Sequence, residues 1–278
     1  MTFICIVIYN QTQWETTELF FDGNIWAEYI LSTINDAIII YDEEDMKVLV
    51  IIPAYNEALN IVNTVNTLTS TCPEVDYVVV NDCSQDDTAA ICKKNGFNYL
   101  SLPINLGIGG GMQCGYKYAF DKGYDIAIQF DGDGQHNADY IKDLIAPIEA
   151  GEAELVIGSR FINKEGFQTS AMRRLGINLL GFTLKVCGKV KITDATSGFR
   201  AASRDVIEFF SHHYAQDYPE PESIIAARVS GFRVKEVPVV MNERTAGVSS
   251  ISSFKSVYYM IKVTLAIVIY RLVGKKWR

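Results

Sequence analysis

The chain has 278 residues, 49% of them hydrophobic and 21% charged, a balance that excludes disordered, collagen-like and disulfide-stapled classes and leaves an ordinary globular protein. The formal charge of −8 is unevenly placed: residues 1–46 hold nine acids and no Lys or Arg, so residues 47–278, with 25 bases against 24 acids, are nearly neutral. Between Arg244 and Arg278 lie seven bases and no acid, interleaved with Tyr258, Tyr259, Tyr270 and Trp277, which reads as a surface-seeking tail.

In chain order, Met1–Tyr9 is apolar but lacks a basic flank or cleavage site and runs into acidic sequence, so it is not read as a secretory signal. Met46-Lys47 stands directly before a strong strand pattern, which makes residues 1–45 read as an appended extension or a mis-assigned start. From Val48 short apolar runs alternate with helical periodicities, the signature of strand, crossover helix and parallel strand. The pattern predicts a strand at Val48–Ile52, a helix through Ile61, Val62, Val65 and Leu68, and a strand at Tyr77–Val80. A helix near Gln85–Asn95, a short strand at Asn98–Ser101 and the glycine-rich Asn105–Gly111 follow, then a helix to Lys122 and a strand at Asp125–Phe130. Helix Ala138–Glu149 and strand Glu154–Ile157 close the first half. The second half offers a polar stretch Asn163–Thr169, a basic-headed helix Ala171–Val186, the run Asp194–Arg200, a helix Glu220–Val229 and a strand Arg233–Val240. Ser256–Gly274 is largely apolar, yet Lys262 and Arg271 leave eight charge-free residues between them, short of the roughly 20 that span a bilayer. An interfacial helix on an anionic surface is the preferred reading, with a core helix or a span with snorkelling charges as alternatives.

In a parallel sheet ligands bind beyond the carboxyl ends of the strands, which directs attention to the loops starting at Pro53, Asn81, Asp131 and Gly158. Asp131-Gly-Asp133 follows an alternating strand, and two hard oxygen donors there suit Mg²⁺ or Mn²⁺, with Gln135 as a neutral oxygen; a plain Asp/Gly turn is the alternative. An EF-hand fails because His136 and Lys142 stand where Gly and Glu are needed. Asn105–Gly111 fits neither a dinucleotide fingerprint nor a Walker A loop, since Met112 and Cys114 replace the third glycine and Tyr116 the lysine; a structural turn and a ligand cradle around Gly109 both remain open. Asn56, Glu57, Asp82, Ser84 and Asp86 could cap helices, but carboxylate-bearing loops after three strands also suit ribose, base and diphosphate. Arg160, Arg173, Arg174 and Arg200 offer guanidinium forks for phosphate, or are surface charges. Six cysteines without C-x-x-C or metal spacing support neither zinc nor disulfides and favour a reducing compartment. Nucleic-acid binding is disfavoured, because the basic residues lie in an apolar tail.

Taken in order, V-I-I-P-A-Y-N-E, V-N-D-C-S-Q-D-D-T, N-L-G-I-G-G-G, F-D-G-D-G-Q-H, G-S-R-F, D-A-T-S-G-F-R-A and E-R-T-A-G-V-S-S resemble the motifs of family 2 glycosyltransferases, and within them the dolichyl/polyprenyl-phosphate sugar synthases. The resemblance implies an α/β fold of GT-A type, with a Rossmann-like, mostly parallel sheet flanked by helices and a C-terminal amphipathic, membrane-associating tail. It divides the chain into an acidic extension at 1–46, a glycosyltransferase domain at 47–250 and the basic tail at 251–278. It implies donor contacts at Pro53, Tyr55, Asn56, Glu57, Asp82, Ser84, Asp86, Gly109, Asp131 and Arg244, the last in an R-x-x-G-x-S loop with Gly247 and Ser249. Metal contacts map to Asp131, Asp133 and Gln135, and acceptor or phosphate roles to Arg160, Ser197 and Arg200. Asn81 stands where the family commonly has Asp, which puts the usual base or ribose contact in question.

The reaction so implied transfers a sugar with inversion from a nucleotide diphosphate sugar, aided by Mg²⁺ or Mn²⁺, to a polyprenyl-phosphate lipid at the cytoplasmic membrane surface. An anionic lipid phosphate hardly needs a base and would be oriented by Arg160, Arg200, Arg173 or Arg174, under a mobile loop at Asn163–Arg174. A sugar hydroxyl would need one, and Glu222, nine residues before Gly231, is the first choice, Glu220 the second. A soluble transferase extending a polysaccharide and a non-catalytic nucleotide-sugar-binding module are the competing readings. Oligomeric state is open.

Overall fold

The computed structural model describes residues 5–10, 13–18, 46–163, 165, 171–242 and 253–273, with only the backbone given at 5–10, 13–18, 171–173 and 253–259. The chain forms two compact units, Met1–Asp45 and Met46–Arg278. In the first, β1 (Cys5–Asn10) and β2 (Gln13–Glu18) pair antiparallel from Cys5↔Glu18 to Asn10↔Gln13.

The second unit is built on a seven-stranded sheet. Its strands are β3 (Val48–Ala54), β4 (Asp76–Asn81), β5 (Tyr99–Ser101), β6 (Ile126–Gln129), β7 (Leu155–Ser159), β8 (Arg200–Ser203) and β9 (Val234–Pro238), in the order β5-β4-β3-β6-β8-β7-β9. Only β8 runs against its neighbours, wedged between β6 and β7. Near-continuous apolar runs such as Leu49-Val-Ile-Ile52 follow from burial on both faces. Val50, Ile52, Val79 and Ile128 face one layer, with α1 (Ile61–Thr71) and α4 (Ile141–Glu149). Leu49, Ile51, Val78 and Ala127 face the other, with α3 (Gly107–Lys122), α6 (Arg204–His212) and α7 (Pro219–Ser230). The short α2 (Thr88–Lys94) joins β4 to β5. A third cluster gathers Leu180 and Leu184 of α5 (Ala171–Gly188), Ile224 and Ile225 of α7, and Val263 and Ile267 of α8 (Ser253–Val273).

Besides β1 and β2, two elements were not expected from the sequence. β8 reads Arg-Ala-Ala-Ser, without the β-branched residues that announce a strand, because it is a short strand inserted between two others. α6 carries a helical signal in Val206, Ile207 and Phe210 that belongs to the core. β3 also runs two residues past its expected end, with Pro53 paired in register to Val80. Among the described residues no helix is long and apolar enough to cross a membrane.

Candidate functional site

The loops after β3 and β4 are tied together by their own polar side chains. Asn56 takes a left-handed backbone (φ 59°), a conformation unusual for a residue other than glycine; its N–H donates to Ser84 Oγ at 3.0 Å, and Asn56 Oδ1 accepts the Gln85 N–H at 2.8 Å. Asp86 accepts from Ala58 N at 3.1 Å and from Thr88 N at 3.0 Å. Ser84 and Asp86 therefore brace this loop pair, while the helices Ile61–Thr71 and Thr88–Lys94 have no side-chain bond from their N-cap residues. Burial raises the Asp86 carboxyl, but the bonds from Thr88 and Ala58 outweigh it and leave the group below its ordinary value. Tyr55 stays exposed at the mouth of the loop.

Asp82 is buried, and its Oδ1 accepts the Leu106 N–H at 2.7 Å, anchoring the start of α3. The glycine run Asn105–Gly111, expected as a turn or cradle, lies mostly inside that helix. A Cβ at Gly109 would overlap the carbonyl oxygens of Ala215 and Gln216, so this glycine is required by a close backbone approach from the loop before α7. At Gly109 the structure shows a packing requirement. Asn81 is buried, donates to Ser101 Oγ at 3.1 Å and accepts from Ser84 N at 3.3 Å; both ends of its amide are engaged within the fold.

The loop after β6 meets α1 and the end of β3 at Gly132, whose carbonyl accepts from Thr64 Oγ1 at 3.0 Å and where a Cβ would stand 3.0 Å from the Pro53 carbonyl. Asp131 is held on three sides. Gln129 Nε2 donates to its Oδ1 at 3.2 Å, its backbone N–H donates to His136 Nδ1 at 2.9 Å, and His136 Nε2 faces its Oδ2 at 3.5 Å. Because Nδ1 is the acceptor, the imidazole proton sits on Nε2, toward the carboxylate. Burial holds His136 below its ordinary pKa, so the ring is neutral. It stacks on Phe199 with centroids 4.7 Å apart. Asp133 is buried, and its Oδ1 accepts the Gln135 N–H at 3.0 Å. The sequence reading missed Gln129; its signal was a polar residue in an otherwise apolar strand.

On the other side of β6, the run Asp194–Arg200 presses Gly198 against this site, where a Cβ would stand 3.0 Å from Asp131 Oδ2. Arg160 forks onto the fully buried Asp194 (Nε–Oδ2 2.7 Å, Nη2–Oδ1 2.8 Å). Glu236 of β9 receives the Thr193 and Asp194 backbone N–H groups, and burial raises its carboxyl. Arg174 lies over the Phe161 ring at 3.6 Å, with Arg160 over the same ring at 5.2 Å. Arg200 is 0% exposed and donates to the carbonyls of Ser197 and Glu220 and to Ser223 Oγ. It pins β8 to α7 instead of presenting a free fork to phosphate, which corrects the surface-charge and acceptor expectations for it. Ser197 is buried too, and its Oγ has no hydrogen-bond partner. The two candidate bases separate. Both carboxyls are raised by burial; Glu220 then feels Arg200 and Asp131, whereas Glu222 feels Asp217 and Lys262 beside α8.

Arg244, Gly247 and Ser249 lie outside the described residues, as do the side chain of Arg173 and, within the Asn163–Arg174 stretch, residues 164 and 166–170. Among the described residues no cluster of three or more His, Cys, Asp or Glu is arranged to hold a metal ion. Two carboxylates and an amide nonetheless fit Mg²⁺ or Mn²⁺ of the kind completed by substrate phosphates and water, and Asp131, each oxygen of which carries one long contact, retains lone pairs for it.

A family model described as "Glycosyl transferase family 2" matches residues 49–210, from β3 through most of α6. The chain belongs to glycosyl transferase family 2. It is 32% identical over 218 residues to the UDP-N-acetylglucosamine–dolichyl-phosphate N-acetylglucosaminyltransferase of Methanococcus voltae, covering 70% of this chain and 85% of that one. It is 30% identical over 227 residues to the polyprenol monophosphomannose synthase of Mycolicibacterium smegmatis, covering 78% and 85%. Among solved structures, glucosyl-3-phosphoglycerate synthase from Mycobacterium tuberculosis, crystallised with Mn²⁺, UDP and phosphoglyceric acid, superimposes with a TM-score of 0.62 at 20% identity over 84% of this chain and 80% of that one. The fold is thus of GT-A type, and the protein is a family 2 glycosyltransferase.

Proposed function

We propose that this glycosyltransferase moves a sugar, with inversion, from a nucleotide diphosphate sugar to a polyprenyl-phosphate-type lipid at the cytoplasmic membrane surface. The observation that carries the reading is that the loop holding Asp131 and Asp133 is tied through Gly132 to Thr64 of α1, while the loops after β3 and β4 are tied to each other by the Asn56–Ser84 bond. Glu57, Asn56, Tyr55 and Asp82 line the nucleotide side, and Asp131, Asp133 and Gln135 would hold Mg²⁺ or Mn²⁺. A bound divalent ion there would neutralise charge on the departing diphosphate.

The chain's own contribution is positioning. Gln129 and His136 fix the Asp131 carboxylate, so its orientation is set before the donor arrives. Arg174, stacked on Phe161, and Arg160, neutralised in part by Asp194, stand where an acceptor phosphate would be oriented for attack on the anomeric carbon from the face opposite the diphosphate. A phosphate monoester is already anionic at neutral pH and needs no base. The relatives named for dolichyl- and polyprenyl-linked products support this acceptor class.

A second reading, transfer to a glycan hydroxyl by a soluble enzyme, is favoured by Glu220, whose carboxyl is raised by burial as suits a general base. Transfer of radiolabelled sugar to polyprenyl phosphate, extracted into organic solvent, separates the two: label in the organic phase supports the lipid acceptor, and label confined to water-soluble glycan removes it. A thermal-shift panel of nucleoside diphosphates with and without Mn²⁺ identifies the donor base; no stabilisation by any of them would leave the donor site without support.

A further inference from the structure

Thr193 and Asp194 are the common footing of both arginines assigned to the acceptor phosphate. Arg160 forks onto the Asp194 carboxylate, and its backbone N–H donates to Asp194 Oδ2 at 3.3 Å. Arg174 Nη1 donates to the Thr193 carbonyl, also at 3.3 Å. The two guanidinium groups share the Phe161 ring as well, so a shift of residues 193–194 would move both.

One side chain from a strand far along the chain holds that footing. Glu236 lies on β9, opposite Ile157 in the parallel pairing with β7, the strand that leads into Arg160. Its Oε1 accepts the Asp194 N–H at 2.8 Å, and its Oε2 accepts the Thr193 N–H at 2.8 Å and the Thr193 hydroxyl at 3.1 Å. Ser159 Oγ meets the same hydroxyl at 2.7 Å. Two consecutive N–H groups aimed at one point need a partner that accepts on both atoms and donates on neither, which a carboxylate supplies. Partly burying an acid is unfavourable unless it is fully bonded, so an apolar residue at this position of the outermost strand would cost less if pairing with β7 were its whole purpose. The other end of the run is held separately. Arg200 donates to the Ser197 carbonyl and ties it to α7, and Asp131, against which Gly198 packs, is fixed by Gln129 and His136. Loss of Glu236 therefore loosens the arginine end and leaves the donor end in place.

We propose that Glu236 is a positioning residue for the acceptor: by holding Thr193 and Asp194 it fixes where Arg160 and Arg174 present their charge to the incoming phosphate. The inference rests on the lipid-phosphate reading of the acceptor and adds to it a residue that acts only through the two arginines.

Steady-state transfer by Glu236→Ala in the full chain tests this, with KM measured separately for polyprenyl phosphate and for the nucleotide sugar whose base the thermal-shift panel selects. The acceptor KM is expected to rise about tenfold, the effect of losing one hydrogen bond to a charged group. The donor KM, and Mn²⁺-dependent binding of the matching nucleoside diphosphate by calorimetry, are expected to stay as in the wild type. Glu236→Gln keeps one accepting oxygen and is expected to recover part of the acceptor KM; it carries the comparison by itself should the alanine variant not fold. An acceptor KM equal to wild type in both variants removes the role of Glu236 and leaves the transferase reading standing. A loss shared equally between acceptor and donor removes it too, because it marks a residue that only holds the fold together. Absence of transfer to polyprenyl phosphate by the wild type removes the lipid-acceptor reading itself, and this proposal with it.

Discussion

His136 grips Asp131 at both ends, taking its backbone N–H on Nδ1 at 2.9 Å and facing its carboxylate through Nε2 at 3.5 Å. Replacing it by Phe would keep a ring against Phe199 and lose both polar contacts. His136→Phe is expected to cost about 1–3 kcal/mol, the price of an unpaired buried N–H, read by urea unfolding, and to weaken Mn²⁺-dependent UDP binding measured by calorimetry. Unchanged binding would show that Asp131 needs no such support.

The Arg160–Asp194 pair makes a second case, because Asp194 is fully buried. Arg160→Ala should destabilise by roughly 3–5 kcal/mol through the charge left behind. Adding Asp194→Asn should recover a large part of that loss in the same denaturation experiment. If the single change costs nothing, the pair is not what holds the Asp194–Arg200 run.

Glycines along α3 are required by what approaches them. Gly109→Ala forces the Ala215–Gln216 backbone away, with an expected cost of about 1–3 kcal/mol from overpacking. Gly123→Ala tests a different constraint at the end of the same helix, since its φ of 74° favours glycine although space is open; its expected cost is about 1 kcal/mol. A thermal melt showing Gly109→Ala as stable as wild type would return that residue to a ligand role.

Much of this was legible because the β3–β7 half repeats a simple physical rule: strands buried on both faces read as short apolar runs, and polar loops follow their carboxyl ends. Asp131 and Asp133 could be placed from that rule alone. Arg200 could not. A guanidinium in a loop motif reads as a phosphate fork, and only the three-dimensional meeting of Ser197, Glu220 and Ser223 shows it turned inward. Glu222 was preferred to Glu220 on spacing, whereas in the structure the charge of Asp131 acts on Glu220 and those of Asp217 and Lys262 on Glu222.

The Glu154–Arg233 pair predicts a pH dependence. Burial raises the Glu154 carboxyl, but the Arg233 side chain and N–H outweigh it, leaving its folded pKa lowered. A depressed carboxyl contributes stability above its unfolded pKa of about 4.3, lost as pH falls through the folded value. With Arg233 largely exposed, the contribution is about 0.5–1 kcal/mol. Glu154→Gln should therefore be less stable than wild type at neutral pH and converge with it in acid; a constant difference would mean packing, not charge.

The most direct test is sugar transfer to polyprenyl phosphate by the wild type and by Asp133→Asn, each with Mn²⁺ and with EDTA. The expected result is turnover only for the wild type with the ion, while Asp133→Asn keeps its fold by circular dichroism. Undiminished turnover in EDTA, or by Asp133→Asn, would contradict the assignment of these carboxylates to a metal-bound diphosphate.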